Sequence, residues 1–143
     1  MPTIVLDSSV LVSAFLTANG ATDAVIQRAR DGSVLVYASD AILDETHKVL
    51  AYPRLVQQYR YTPQDVQAFC DRVRAAVLLI SPLPPFPAIC RDPNDDMVLA
   101  CALAATVEYL VTRDKDLLVL QQYEGIAIVT PEAFLAVLRA NPH

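Results

Sequence analysis

The chain has 143 residues, of which 54% are hydrophobic, and its formal net charge is −5. This length suits a single domain over residues 1–143, and the hydrophobic share excludes a disordered chain. The negative charge disfavours a protein that holds nucleic acid by charge alone. We expect neither a signal peptide nor a membrane span, because there is no basic N-terminal region and no long apolar run.

Cysteine, histidine and glycine are all scarce. Cys70, Cys90 and Cys101 lie far apart among apolar neighbours, as expected of small core residues in a reduced, cytosolic protein. Two histidines are too few for an ordinary zinc enzyme. Three glycines exclude a P-loop or a dinucleotide-binding loop.

The N-terminal segment predicts a strand followed by two helices. Thr3–Leu6 is a short β-branched run, typical of a buried strand. Ser8 or Ser9 can begin the next helix, and Asn19-Gly20 should break it. Thr22 is expected to cap the second helix.

The same alternation continues through the next segment. Val34–Ala38 predicts a second buried strand, and Ser39-Asp40 should cap a helix that carries Glu45 and runs to about Leu50. Pro53 should stop that helix.

The middle of the chain contains the strongest helix signal and a proline-rich connector. Thr62–Asp65 has a capping residue, a proline at the first helical position and an acid at the third, so we predict a helix to about Leu78. A strand is expected near Leu79–Ser81. Pro82–Pro87 holds four prolines and should be an extended loop.

The C-terminal third predicts a buried helix at Met97–Thr106, strands at Tyr109–Thr112 and Ile126–Val129, and a last helix opening at Thr130-Pro131. Short apolar strands alternating with helices are typical of α/β proteins. We therefore predict a central parallel sheet of four to five strands covered by helices on both faces.

Acidic residues fall where such a fold would gather them. Asp7 and Asp114 follow two strands, Asp96 opens the buried helix, and Glu45 lies in the helix after the second strand. Ligands of open α/β sheets bind beyond the carboxyl ends of the strands. Carboxylates without His or Cys favour Mg²⁺ or Mn²⁺. The pattern indicates a divalent-metal site, which suits phosphodiester hydrolysis.

Each acid alone also has an ordinary structural explanation. Asn94 or Asp95 is a candidate N-cap of the buried helix, and Asp114 and Asp116 suit a turn. Glu45 alone would be a solvated residue on a helix face. Their joint position at strand ends favours the metal site.

Four segments together resemble the PIN domains, and within them the toxin-like (VapC-like) ribonucleases of bacterial toxin–antitoxin pairs. They are V-L-D-S-S-V-L-V-S-A at 5–14, A-S-D-A-I-L-D-E-T-H-K-V-L at 38–50, R-D-P-N-D-D-M-V-L-A-C-A-L-A at 91–104 and Y-L-V-T-R-D-K-D-L at 109–117. The resemblance covers nearly the whole chain.

The resemblance implies a three-layer α/β/α sandwich and a Mg²⁺- or Mn²⁺-dependent endoribonuclease. It implies a catalytic, metal-binding quartet supported by Ser9, with Asp116 as an auxiliary acid. The quartet consists of Asp7, Glu45, Asp96 and Asp114.

The resemblance also implies how the protein would act. Water would attack an RNA phosphate in line and leave a 5′-phosphate and a 3′-hydroxyl. Arg91, Arg113 and Lys115 adjoin the acids and are candidates for contacts with RNA phosphates. A homodimer, and a cognate antitoxin that inserts into the acidic groove, are further expectations.

Two other functions fit the same pattern less well. A PIN-like domain with blocked access would be a catalytically silent binding module. A phosphotransfer or receiver-type signalling domain also has acids at strand ends, but the first strand here ends in D-S-S rather than in a pair of acids.

Overall fold

The computed structural model describes residues 1–17, 20–81, 83 and 87–140. The strands in these ranges are β1 (Thr3–Leu6), β2 (Leu35–Ala38), β3 (Leu78–Leu79), β4 (Tyr109–Val111), β5 (Gln122–Tyr123) and β6 (Ile126–Val129). The helices are α1 (Ser8–Leu16), α2 (Ala21–Arg30), α3 (Asp40–Leu50), α4 (Pro53–Tyr59), α5 (Pro63–Ala76), α6 (Pro93–Ala105), α7 (Lys115–Leu118) and α8 (Pro131–Ala140).

The strands form one mixed sheet in the order β3-β2-β1-β4-β6-β5. The pairs from β3 to β6 are all parallel, and only the short β5 runs antiparallel to its neighbour β6. The predicted parallel sheet flanked by helices is therefore confirmed. The additional edge strand β5 was not predicted, because Gln122-Tyr123 carries no apolar run.

The two central strands are buried among apolar side chains. Ile4 and Val5 of β1 and Leu110 and Val111 of β4 are fully inaccessible. Strands covered on both faces need apolar residues at successive positions, which explains their continuous β-branched and aliphatic runs. Helix α6 packs against β1, β2 and β4, so it lies against the centre of the sheet.

The strands that follow β1 in the sequence lie first on one side of β1 and then on its other side. It passes from β1 to β2 and β3 on one side, and later occupies β4 and β6 on the opposite side of β1. The carboxyl ends of β1 and β4 therefore border the point where the strand order reverses. Ligand sites of open α/β sheets form at such points.

Two predicted helix starts are confirmed by their hydrogen bonds. The Ser39 hydroxyl accepts from the Ile42 N–H at the start of α3. Thr62 and Asp65 form a reciprocal capping box at the start of α5. At α2, however, Gly20 rather than Thr22 is the N-cap residue, and Thr22 is buried inside the helix.

The start of α6 was predicted too late in the chain. The helix begins at Pro93 rather than Met97, and Asp92 is its N-cap, because the Asp92 carboxylate accepts from the Asn94 N–H at 2.9 Å. Asn94 and Asp95 are therefore not the cap. Proline at the first position and an acid before it are an ordinary helix start.

Some segments were not predicted or cannot be compared. The short helices α4 and α7 were not predicted. Most of the predicted Pro82–Pro87 connector, and Asn19 of the predicted helix break, lie outside the described residues. No single described helix is long and apolar enough to cross a membrane, and only the bent pair of α1 and α2 reaches that length and composition when taken together.

Candidate metal centre

Asp7 lies at the carboxyl end of β1, buried and surrounded by hydroxyl donors. Its Oδ2 accepts from Thr112 Oγ1 at 2.7 Å and from Ser9 Oγ at 2.9 Å, and its Oδ1 accepts from Ser8 Oγ at 3.3 Å. Burial raises the pKa of Asp7, and the hydroxyl groups of Thr112 and Ser9 oppose that shift. The carboxylate is thus fixed in orientation at the point where the strand order reverses.

Thr112 and Ser9 connect Asp7 to the chain that follows β4. Thr112 Oγ1 also accepts from the Asp114 N–H at 3.0 Å, and Ser9 Oγ accepts from the Arg113 N–H at 3.1 Å. Thr112 is fully buried and was not predicted as a site residue. Its position one residue beyond β4, beside the residue that ends β1, is the signal that could have identified it.

Three other carboxylates meet next to this network. Asp95 in the first turn of α6, Asp114 at the N-cap of α7 and Asp116 in its first turn each offer an oxygen atom, and these atoms lie within 4.8 Å of one another. Two carboxylates at that distance repel by about 3 kcal/mol at an effective dielectric constant of about 20. Such a cluster needs a proton or a cation among its oxygens.

Asp95 is the most perturbed acid of the cluster. Burial, and then the carboxylate of Asp114, raise its pKa to about 8. Its Oδ2 is buried without a hydrogen-bond partner among the described residues. An orphaned carboxylate oxygen beside two further carboxylates fits a hard divalent cation such as Mg²⁺ or Mn²⁺, which takes oxygen ligands.

Asp96, which was predicted to belong to this group, points to another partner. Its Oδ1 accepts from the N–H groups of Cys90 at 2.8 Å and Ile89 at 3.1 Å. These bonds hold the pKa of Asp96 below its ordinary value. The structure therefore brings Asp95 rather than Asp96 to Asp114, and uses Asp96 to fasten the segment that precedes α6.

Glu45 lies on α3, which packs against α1 and α6. Its half-buried side chain lines a small cavity together with Ser8, Asn94 and Met97. Glu45 thus borders the first turn of α6 but is not part of the cluster of Asp95, Asp114 and Asp116.

The three predicted phosphate-binding residues differ in their surroundings. Arg91 and Lys115 are exposed. Arg113 forms a two-point ion pair with Glu132 of α8, at 2.8 Å between Nη2 and Oε2 and 3.2 Å between Nη1 and Oε1. Glu132 was not predicted as a site residue, since nothing in its local sequence marks it.

A cleft of about 490 Å³ occurs elsewhere, against α1, α2 and α5. Its aromatic wall includes Phe15, whose ring makes edge-on contacts with Tyr61 and Phe69. The acids of the cluster lie at the carboxyl edge of the sheet instead. The cleft and the acid cluster are therefore separate features of the described residues.

The chain belongs to the PIN domain family, whose profile matches residues 3–116. Among solved structures, it is similar to a chain in the "Crystal structure of VapBC2 from Rickettsia felis bound to a DNA fragment from their promoter", with a TM-score of 0.61 and 13% identity over 88% of this chain and 96% of that chain. That likeness shows the same fold. No curated protein matches the sequence.

Proposed function

We propose that this PIN domain is a divalent-metal-dependent endoribonuclease. The observation that carries the proposal is the buried, unpartnered Oδ2 of Asp95 beside the carboxylates of Asp114 and Asp116. Family membership supports the same activity, since PIN domains are generally nucleases. A cluster of mutually repelling acids has a use when it binds a cation, and phosphodiester hydrolysis is the reaction that such a site serves.

Asp95, Asp114 and Asp116 would hold Mg²⁺ or Mn²⁺, with Asp7 and Glu45 beside them. When bound, the ion would polarise the phosphate and favour ionisation of the attacking water. Thr112 and Ser9 keep the Asp7 carboxylate in one orientation through their hydroxyl donors. Asp95 replaces Asp96 in the predicted quartet, because the Asp96 carboxylate is engaged by two backbone N–H groups.

RNA would approach along the carboxyl edge of the sheet. Arg91 and Lys115 are exposed beside the acids and would contact neighbouring phosphates. The net charge of −5 does not oppose such contacts strongly, since phosphate attraction is local and a bound cation offsets the acids.

Cleavage of a mixed-sequence single-stranded RNA, with Mn²⁺ and with a chelator, tests this function. We expect cleavage only with the metal, products with a 5′-phosphate, and loss of cleavage in Asp114→Asn. Asp40→Asn removes an equally negative, exposed carboxylate and should leave cleavage unchanged. Metal binding without any cleavage would instead support a catalytically silent binding module.

We further propose that the chain is the toxin of a toxin–antitoxin pair and acts in the cytoplasm. The similar fold found in the VapBC2 structure supports an antitoxin partner, and three free cysteines suit a reducing compartment. A homodimer is proposed from the family resemblance. Co-expression with the product of a neighbouring gene should suppress cleavage and growth arrest, and sedimentation would give the oligomeric state.

A further inference from the structure

The ion pair between Arg113 and Glu132 lies on the edge of the sheet where RNA would bind. Arg113 comes directly after Thr112 and before Asp114, and its backbone N–H donates to Ser9 Oγ. Its main chain is therefore fixed within the acid site. Glu132 comes from the first turn of α8, just after β6, the parallel neighbour of β4.

Arg113 pairs with Glu132 although Asp114 and Asp116 are closer to it in the sequence. Both terminal nitrogens of the Arg113 guanidinium contact Glu132, 19 residues away, with both carboxylate oxygens used. Arg113 also lowers the pKa of Glu132. The Glu132 carboxylate therefore contacts the guanidinium in the same bidentate geometry that a phosphate group adopts with arginine.

The exposure of the pair makes exchange feasible. The side chains of Arg113 and Glu132 are 36% and 57% exposed, and exposed ion pairs contribute only about 0.2–1 kcal/mol. A phosphate of a bound RNA chain could replace Glu132 at little cost. Glu132 also lies outside the residues 3–116 that match the PIN domain profile, so it is a feature of this chain beyond the matched region.

We propose that Glu132 is a positioning residue that holds Arg113 ready at the site edge and is replaced by an RNA phosphate when substrate binds. This inference rests on the proposed ribonuclease function. Glu132 then acts as an internal competitor of the substrate: it keeps the guanidinium oriented in the free protein and weakens RNA binding by the free energy of the broken pair.

The first test compares kcat and KM of RNA cleavage with Mn²⁺ for Glu132→Gln and Arg113→Gln. Glu132→Gln removes the competing carboxylate and should lower KM about two- to fivefold, with kcat unchanged. This range corresponds to the free energy of an exposed ion pair. Arg113→Gln should raise KM instead. If the pair only fastened α8 to the sheet, both variants would reduce thermal stability similarly and neither would change KM.

The double variant Arg113→Gln/Glu132→Gln separates exchange from simple charge repulsion. If Glu132 acts through Arg113, Glu132→Gln has no effect on KM in the Arg113→Gln background. If Glu132→Gln still lowers KM in the Arg113→Gln background, the proposal is overturned, because Glu132 would then repel RNA by its own charge. Asp40→Asn is the matched control, since it also removes one charge and one exposed ion pair, that with Arg74.

The outcomes also distinguish this inference from the function on which it rests. If the wild-type protein neither binds nor cleaves single-stranded RNA, the ribonuclease proposal fails and the exchange fails with it. If the wild type cleaves RNA while Glu132→Gln has the same KM as Asp40→Asn, the exchange alone is overturned.

Discussion

The two sides of the first turn of α6 carry consecutive acids with opposite environments. Asp95 faces Asp114 and Asp116, and its Oδ2 lacks a partner among the described residues. Asp96 accepts two backbone N–H groups from the segment before the helix. Successive residues of a helix point about 100° apart, so one step along the chain separates the proposed metal ligand from a structural anchor.

The pKa shifts of the two acids express the same contrast. Burial raises the pKa of Asp95 to about 8, whereas the N–H groups of Cys90 and Ile89 lower that of Asp96. Both side chains are largely inaccessible, at 4% and 9% exposure. Burial therefore does not distinguish the two acids. Their partners distinguish them, because a carboxylate that accepts from N–H donors has its charge stabilised, whereas one that faces other carboxylates does not.

The largest expected effect comes from Asp95→Asn. Removing one charge from the cluster should reduce metal-dependent RNA cleavage at least about 100-fold, more than typical losses from outer-shell changes. Single-turnover cleavage with Mn²⁺ measures it. Asp96→Asn is the matched control and should stay within a few-fold of wild type; equal losses in both variants would remove the distinction between the two sides of the turn.

Thr112→Val should have the next largest effect. The substitution keeps the shape of the side chain but removes the hydroxyl that donates to Asp7 and accepts from the Asp114 N–H. We expect Mn²⁺ affinity to fall about 10- to 100-fold and the free energy of unfolding to fall by about 1–3 kcal/mol. Calorimetric titration and denaturant unfolding measure the two changes. Thr112→Ser keeps the hydroxyl and should retain most of the Mn²⁺ affinity and most of the stability.

Asp96→Ala should destabilise the fold without loss of the metal response. The part-buried N–H groups of Ile89 and Cys90 would lose a charged acceptor, which costs about 1–2 kcal/mol. Urea unfolding should show the decrease, and the rise in melting temperature with Mn²⁺ should persist. A stable Asp96→Ala protein that no longer responds to Mn²⁺ would assign Asp96 to the metal instead.

The last prediction concerns the stability of the metal-free protein rather than its activity, as a function of pH. The folded pKa of Asp95 lies above its ordinary value of 3.8, so the folded state binds more protons than the unfolded chain, and stability falls as the pH rises from about 4 to about 8. The lowered pKa of Asp96 acts only below this window. Between about pH 5 and about pH 8, the melting temperature of the metal-free protein should fall more steeply in wild type than in Asp95→Asn.

Much of the fold could be predicted because its signals are local. Thr3–Leu6 and Ile126–Val129 are apolar runs that can only be buried, and both strands have the predicted bounds. The capping box at Thr62 and Asp65 determines the start of α5 through side chains three residues apart. The short helices α4 and α7 lack such runs, and their sequences do not distinguish them from loops.

The direction in which α6 points its acids could not be predicted in the same way. Met97–Thr106 is apolar almost all round, so the sequence contains no polar stripe from which to read the rotation of the helix. The rotation depends on how α6 packs against β1, β2, β4 and α3. Contacts outside regular helix or strand spacing, such as Asp96 with Ile89 or Arg113 with Glu132, depend on tertiary packing and leave no local mark.

The most direct test of the proposed metal site is Mn²⁺ binding to wild type, Asp95→Asn and Asp96→Asn. Calorimetric titration measures the affinity, and the shift in melting temperature measures the stabilisation. We predict that wild type and Asp96→Asn bind Mn²⁺ with similar affinity and are stabilised by several degrees, while Asp95→Asn shows neither effect. Binding that is lost in Asp96→Asn and retained in Asp95→Asn, or absent from all three proteins, would contradict the metal site proposed for this PIN domain.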